Sequence, residues 1–210
     1  MNIEEIEYTP NPNAVKFIVD VQIIAAVGGV TKSFDAPEEA EGVPLAREIM
    51  AIEHVEGVFF ASNYITVTQD GDADWRELMR EIAEPIREAT LEDTRGEDES
   101  LPENEQGEDG EIPGADDPRM EEIEEVLERE IMPYLEGDGG GLAIKGLVDD
   151  KLMIDYQGAC GSCPASITGT LMSIENLLKQ QVDESLTVEA LGSAPGTGGG
   201  MSGPGMPYGM

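Results

Sequence analysis

Cysteine, histidine and basic residues are scarce in this 210-residue chain. It holds two cysteines and one histidine, with 12 Lys and Arg against 45 Asp and Glu. The resulting formal net charge of −33 disfavours binding to nucleic acid or to an anionic membrane, because phosphate binding depends on clustered Lys and Arg. We therefore expect no nucleic acid and no membrane among the partners.

The sequence also lacks targeting features. No apolar run approaches the roughly 20 residues needed to cross a bilayer. Residues 1–8 are acidic, without the basic and then apolar run of a secretory signal or the arginines of a transit peptide. We therefore expect a cytoplasmic protein, in which two cysteines indicate metal or redox chemistry more than a structural disulfide.

The acidic residues are spread over the whole chain. Residues 91–118 hold 12 of the 45, so most of them lie in segments that are predicted to fold. Two explanations are open: a generic solvated surface, or adaptation to high intracellular salt. We favour the second, because salt shortens the range of repulsion between like charges.

The high-salt hypothesis predicts that stability rises with salt. The melting temperature should increase from dilute buffer to concentrated KCl, because screening weakens the self-repulsion of the folded chain. Thermal melts across a KCl series measure this effect, with sucrose as an uncharged control. A melting temperature that is highest in dilute buffer would contradict the hypothesis.

Composition divides the chain into four segments of an α+β protein. Residues 1–90 are predicted to form one small α+β domain, and residues 119–190 a second. Between them, residues 91–118 are rich in Glu, Asp, Gly and Pro, which predicts a disordered linker that holds the two halves apart. Residues 191–210 are rich in Gly, Pro and Met and are predicted to be a disordered tail.

In the first domain, apolar periodicity alternates between strand and helix patterns. Val15, Phe17 and Val19 mark a strand whose second face is also fairly apolar. A strand pair is predicted within residues 21–34. The remaining predicted elements are a helix opened by Pro44 and ended by Gly57, paired strands at 58–60 and 64–67, and a helix capped by Asp72 or Asp74 that contains Pro85.

The second domain is predicted to run α-β-β-α-β. Its first helix buries a stripe of apolar residues and ends at Pro133, followed by a flexible loop over 137–141. A hairpin over 142–156 turns at Asp149-Asp150, a helix begins at Pro164, and a short strand covers 186–188. The stripe consists of Met120, Ile123, Leu127 and Ile131.

Both cysteines lie in the segment from Gly158 to Pro164, which we call the cysteine loop. Cys160 and Cys163 are spaced as C-x-x-C among small residues, so that both sulfurs can point at one metal centre. The helix predicted to follow would favour the thiolate form through its unpaired N–H groups and its dipole. Two thiolates are half of a four-ligand set, and a second copy of the chain could supply the other half.

The cysteine pair alone leaves three kinds of protein open: a shared metal or iron–sulfur site, a thiol–disulfide redox protein, and a dimeric zinc-binding module. A hairpin before the motif and very small neighbours are not typical of a thioredoxin-like site. A zinc site within one chain would need four ligands, and His54 lies in the other domain, where it is predicted to be a surface residue.

Both halves of the chain carry a family resemblance. The segment 136–140, the hairpin, the cysteine loop and the helix over 166–178 resemble the C-terminal domain of NifU-type iron–sulfur scaffold proteins. The first half resembles the N-terminal domain of the Nfu branch of that family. The segments that carry this second resemblance are Thr9-Pro10-Asn11-Pro12-Asn13, Lys16-Phe17, Gly57-Val58-Phe59-Phe60, Tyr64-Ile65-Thr66-Val67 and Asp74-Trp75.

The resemblance implies a non-enzymatic scaffold or carrier. Cys160 and Cys163 would bind iron, two ligands from each subunit of a homodimer that shares one [4Fe–4S] cluster. The partners would be an upstream cluster or sulfur donor and apo-proteins that receive the cluster. Met132 and Met172 depart from the family pattern, in which basic residues are usual, and this affects expected partner recognition more than cluster binding.

Overall fold

The computed structural model describes residues 1–24, 31–95, 113–160 and 164–191. Within these ranges the chain forms two units, each with its own sheet, helices and apolar core. The prediction of an α+β fold is thereby confirmed. Among the described helices, none is long and apolar enough to cross a membrane.

The N-terminal unit is a five-stranded antiparallel sheet in the order β1-β2-β5-β4-β3. Its helices are α1 (Pro44–Met50) and α2 (Trp75–Glu88), followed by a 3₁₀ turn at Glu92–Thr94. The strands are β1 (Ile3–Tyr8), β2 (Ala14–Val19), β3 (Lys32–Phe34), β4 (Val55–Ala61) and β5 (Tyr64–Gln69).

One face of this sheet forms the N-terminal core. Alternate strand residues such as Phe17, Phe60 and Ile65 are fully buried against α1 and α2. Successive side chains on a strand point to opposite faces, so Lys16, Phe59 and Tyr64 lie on the other side of the sheet. Asp74 caps α2 by accepting a hydrogen bond from the backbone N–H of Arg76, as predicted.

The C-terminal unit is a three-stranded sheet in the order β6-β7-β8, with β6 antiparallel and β8 parallel to β7. Buried residues such as Ile123, Leu152 and Ile174 join its helices and sheet in one core. The elements are α3 (Met120–Glu130), α4 (Met132–Gly137), β6 (Gly140–Val148), β7 (Lys151–Gly158), α5 (Pro164–Gln181) and β8 (Thr187–Leu191).

Several N-terminal boundaries differ from the prediction. Strand β1 was not predicted, because Ile3 and Ile6 break the two-residue period where a register shift interrupts its pairing with β2. Helix α1 ends at Met50 rather than at Gly57, which lies inside β4. Of the strand pair predicted within 21–34, the structure has β3 alone in the described part, and residues 25–30 lie outside it.

The C-terminal unit also departs from the prediction at two points. Pro133 does not end the helical region, because it occupies the first turn of α4, where its missing N–H costs nothing. The loop predicted over 137–141 is short, since Gly140 and Gly141 already pair with β7. The predicted linker and tail fall largely on residues 96–112 and 192–210, which lie outside the described residues.

Arg119 ties three parts of the C-terminal unit together. Its guanidinium donates to Asp117 at 2.8 Å, to Asp150 at 2.9 Å and to Asp183 at 3.5 Å. Hydrogen bonds from the Arg119 side chain and backbone lower the pKa of Asp117 to about 2. Because folding lowers this pKa, the bonds between Arg119 and the Asp117 carboxylate stabilise the fold above pH 3.8, the ordinary value. This stabilisation is lost as the pH falls toward 2.

We predict that Arg119→Gln lowers the melting temperature by about 2–6 °C at low salt, because three carboxylates lose a shared cation. The difference from wild type should shrink in high salt, where exposed charges are screened. Arg129→Gln is the control, since Arg129 is 49% exposed and its ion pairs, with Glu125 and Glu130, stay within α3, with one further bond to Gln181 of α5. Equal melting temperatures for the two variants would contradict the prediction.

Candidate functional site

Cys160 lies two residues beyond the end of β7 and four residues before the start of α5. The strand-to-helix position is the one that the sequence predicts, and α5 begins at Pro164 as expected. Residues 161–163, including Cys163, lie outside the described residues. The structure therefore places one of the two predicted ligands.

The sulfur of Cys160 rests against the backbone of Gly140, the first residue of β6. A Cβ atom placed on Gly140 would lie 2.6 Å from Cys160 Sγ and 2.7 Å from the carbonyl oxygen of Gln157. Any side chain larger than hydrogen would displace the sulfur or the strand. Gly140 is therefore part of the site; sequence reasoning placed it in a flexible loop and in the segment 136–140 that carries the family resemblance.

Cys160 is buried, with 7% of its surface exposed. Its side chain is part of the C-terminal core. The two halves of the chain are also in contact, whereas the sequence predicts a linker that holds them apart: the second face of the N-terminal sheet packs against Gly140, Gly158 and Ala159, which lie beside Cys160. We call this second face the outer face and define it by Lys16, Phe59, Ala61, Tyr64 and Thr66, all of which are buried.

The Phe59 ring makes an apolar contact between the two units. A Cβ atom on Gly158 would lie 2.7 Å from Phe59 Cδ1, and one on Gly141 would lie 3.1 Å from Phe59 Cζ. Gly158 also has a φ of +62°, which favours glycine. The ring therefore packs directly against the backbone of Gly158 and Gly141, and Gly158 lies two residues before Cys160 in the sequence.

Polar contacts surround this apolar one. The Asn11 side-chain amide donates to the carbonyl of Ala159 at 3.0 Å in a buried setting. Tyr64 OH donates to the carbonyl of Gly140 at 3.3 Å. Lys16 Nζ donates to the carbonyl of Glu136 at 3.0 Å.

Two tyrosines near Cys160 have raised pKa values. Burial raises the pKa of Tyr64, and the charges of Glu136 and Cys160 raise it further. Burial and the charge of Cys160 likewise raise the pKa of Tyr156. Both phenols therefore stay neutral at physiological pH. The Lys16 ammonium lies 4.5 Å from the centre of the Tyr64 ring, where the ring's negative face attracts it.

His54 lies far along the chain from this site, as the sequence predicts. It follows α1 with a φ of +73°, and its Nδ1 lies 2.9 Å from a carboxylate oxygen of Asp70. In the described part of the chain, no group of three or more His, Cys, Asp or Glu side chains is arranged to hold a metal ion.

Sequence reasoning identified the cysteine pair and missed the residues that cover it. Asn11, Lys16, Phe59 and Tyr64 all stand in the segments that carry the N-terminal resemblance, yet no role followed from their spacing. The one available signal was the fairly apolar second face of β2, because a half-solvated antiparallel sheet normally carries polar residues there. That signal pointed to a covered sheet.

Two family models match this chain. The model for the NifU-like domain matches residues 123–189, and the model for the scaffold protein Nfu/NifU N terminal matches residues 3–93. The chain therefore contains both kinds of domain in the predicted order.

Individual proteins match over most of the chain. The human protein described as NFU1 iron-sulfur cluster scaffold homolog, mitochondrial, is 34% identical over 182 residues, which cover 86% of this chain and 68% of that protein. The Drosophila ananassae protein of the same description is 31% identical over 181 residues, with 86% and 61% covered. This chain thus spans 61–68% of the length of these two relatives.

A solved structure of Staphylococcus aureus protein SAV1430 also matches. It is 20% identical, covers 41% of this chain and 99% of its own, and has a TM-score of 0.36. The domain matches make this chain a NifU-like protein. More narrowly, it belongs to the Nfu-type iron–sulfur cluster scaffold family.

We predict that Gly140→Ala destabilises the fold by about 1–3 kcal/mol, because the new methyl group meets Cys160 Sγ and strand β7. Chemical unfolding in urea measures the loss. Gly137→Ala is the matched control, since nothing lies within 4 Å of a Cβ atom at that helical position. An equal effect of the two variants would show that the contact with the sulfur does not matter.

Proposed function

We propose that this protein binds a [4Fe–4S] cluster between two protomers through Cys160 and Cys163 and transfers it to apo-proteins. The observation that carries the proposal is the position of Cys160 between a strand end and the start of α5, within a domain of the NifU-like family. The cluster is cargo here, and the protein is a carrier rather than an enzyme.

Small residues around the cysteine pair support cluster binding. Ligation requires thiolates, and backbone N–H groups near a helix start stabilise them. Gly140 leaves room for the sulfur of Cys160 against the hairpin. Such a setting is suited to a cluster, whose sulfurs also accept hydrogen bonds from backbone amides.

The supply of ligands supports a shared site. The full chain has two cysteines, and a cubane cluster takes four thiolates. A second protomer supplies the missing pair with the same geometry, as closed two-fold symmetry allows. A cluster held across a subunit interface can then leave by stepwise exchange with the cysteines of an acceptor.

The proposal predicts an iron-loaded dimer. Anaerobic reconstitution with ferrous iron and sulfide should give a brown protein with about four irons per pair of chains, because four thiolates hold one cluster. Iron analysis and size-exclusion chromatography measure the result. Cys160→Ser and Cys163→Ser should each abolish stable loading.

A control and two alternatives complete this test. Met172→Ala should load normally, since Met172 is 65% exposed on α5 and is not a ligand. Reversible oxidation of the pair with insulin reductase activity and no iron would favour a redox protein instead. Zinc in anaerobically purified protein would favour a zinc module, and unchanged loading of Cys163→Ser would overturn the proposal.

A further inference from the structure

The outer face of the N-terminal sheet lies against Gly140, Gly158 and Ala159 of the same chain, directly beside Cys160. We propose that this face is an intramolecular cap, which binds the backbone beside Cys160 in the monomer and must leave before a second protomer can reach this cysteine. The consequence for loading rests on the function proposed above. The cap itself does not, because it can be tested without iron.

The polar contacts of the cap converge on the backbone around Cys160. Ala159, which accepts from Asn11, directly precedes the cysteine. Gly140, which accepts from Tyr64, is the residue against which the sulfur rests. A further bond joins Thr31 Oγ1 to the side chain of Gln157 at 2.6 Å. The N-terminal unit thus binds the site itself and not a remote surface of the second domain.

The apolar contact of the cap requires glycine on the loop. Phe59 is 1% exposed, and its ring lies where side chains at Gly158 and Gly141 would otherwise stand. In a sheet whose core is on the other side, an aromatic residue on the second face is expected in solvent unless something covers it. Gly158 and Gly141 provide that cover.

The closed cap and a shared cluster cannot be present together, because a second protomer has to come very close to Cys160. A metal–thiolate bond is about 2.3 Å for zinc and similarly short for other thiophilic metals. A second protomer must therefore bring its own cysteine loop almost into contact with Cys160. Asn11 is bonded to the residue directly before Cys160, so the N-terminal unit occupies space beside this cysteine.

Three features indicate an interface that can open. Thr66 Oγ1 is buried in the outer face without a hydrogen-bond partner among the described residues, and it would regain water on opening. The face also carries the Lys16 ammonium, which is well solvated when exposed. Burial raises the pKa of Asp35, and so do the charges of Glu39 and of Asp155 across the interface, so like charges oppose the closed state.

The cap predicts slow modification of Cys160 that speeds up when the cap is weakened. The full-length apo-protein in a Cys163→Ser background leaves Cys160 as the only thiol. Its alkylation by iodoacetamide is followed by mass spectrometry under native conditions. Phe59→Ala should react about tenfold faster or more, because the rate follows the fraction of open molecules.

Two further variants make the experiment decisive. Tyr64→Phe removes one hydroxyl, leaves the fold intact and should raise the rate by about two- to fivefold, since it deletes one interface hydrogen bond. Tyr8→Ala is the control, because Tyr8 is 71% exposed on β1 and should react as the parent does. If Phe59→Ala fails to fold by circular dichroism, Tyr64→Phe decides. A rate for both variants equal to that of Tyr8→Ala would overturn the cap.

A second measurement separates the cap from the proposed function. With both cysteines present, Phe59→Ala should load iron and dimerise faster than wild type on anaerobic reconstitution. Faster alkylation with no iron bound in any variant would leave the cap standing and refute the cluster function. Normal loading with unchanged alkylation would refute the cap and leave the cluster function standing.

Discussion

The contact of the Phe59 ring with the backbone of Gly158 and Gly141 is the constraint on which the arrangement of the two units depends. Each partner in this contact has a feature that fits the contact. Phe59 stands on the side of the sheet away from the N-terminal core, and Gly158 adopts a left-handed φ where a side chain would strike the ring. Together they place one domain directly against the backbone beside Cys160 of the other.

The consequence for function lies in the competition for Cys160. A cysteine pair that waits for a second chain is exposed to oxidation and to other metals for as long as it stays open. The closed arrangement would protect the sulfur in the monomer without ligating it. The outer face is suited to covering the site reversibly because it is both apolar and polar. Lys16 and Thr66 can contact water when this face separates from the C-terminal unit.

Much of the fold was predictable because its patterns are local. Alternating apolar residues identified β2, apolar runs identified β4 and β5, Pro44 identified the start of α1, and the C-x-x-C spacing identified the cysteine loop. Local patterns gave the wrong prediction at two places. At β1 a register shift breaks the period, and Pro133 lies in the first turn of α4, although a proline can equally mark the end of a helix. Both errors concern pairings or boundaries that neighbouring residues do not encode.

From residues alone came the α+β class, the order of elements in the second domain apart from α4, and the candidate ligands Cys160 and Cys163. These depend on periodicity, on proline and glycine placement, and on the spacing of two sulfurs along the chain. The burial of Cys160, the role of Gly140 and the docking of Asn11 and Phe59 needed the tertiary structure. They join residues up to 148 positions apart, and a contact of that range leaves no periodic trace in either segment.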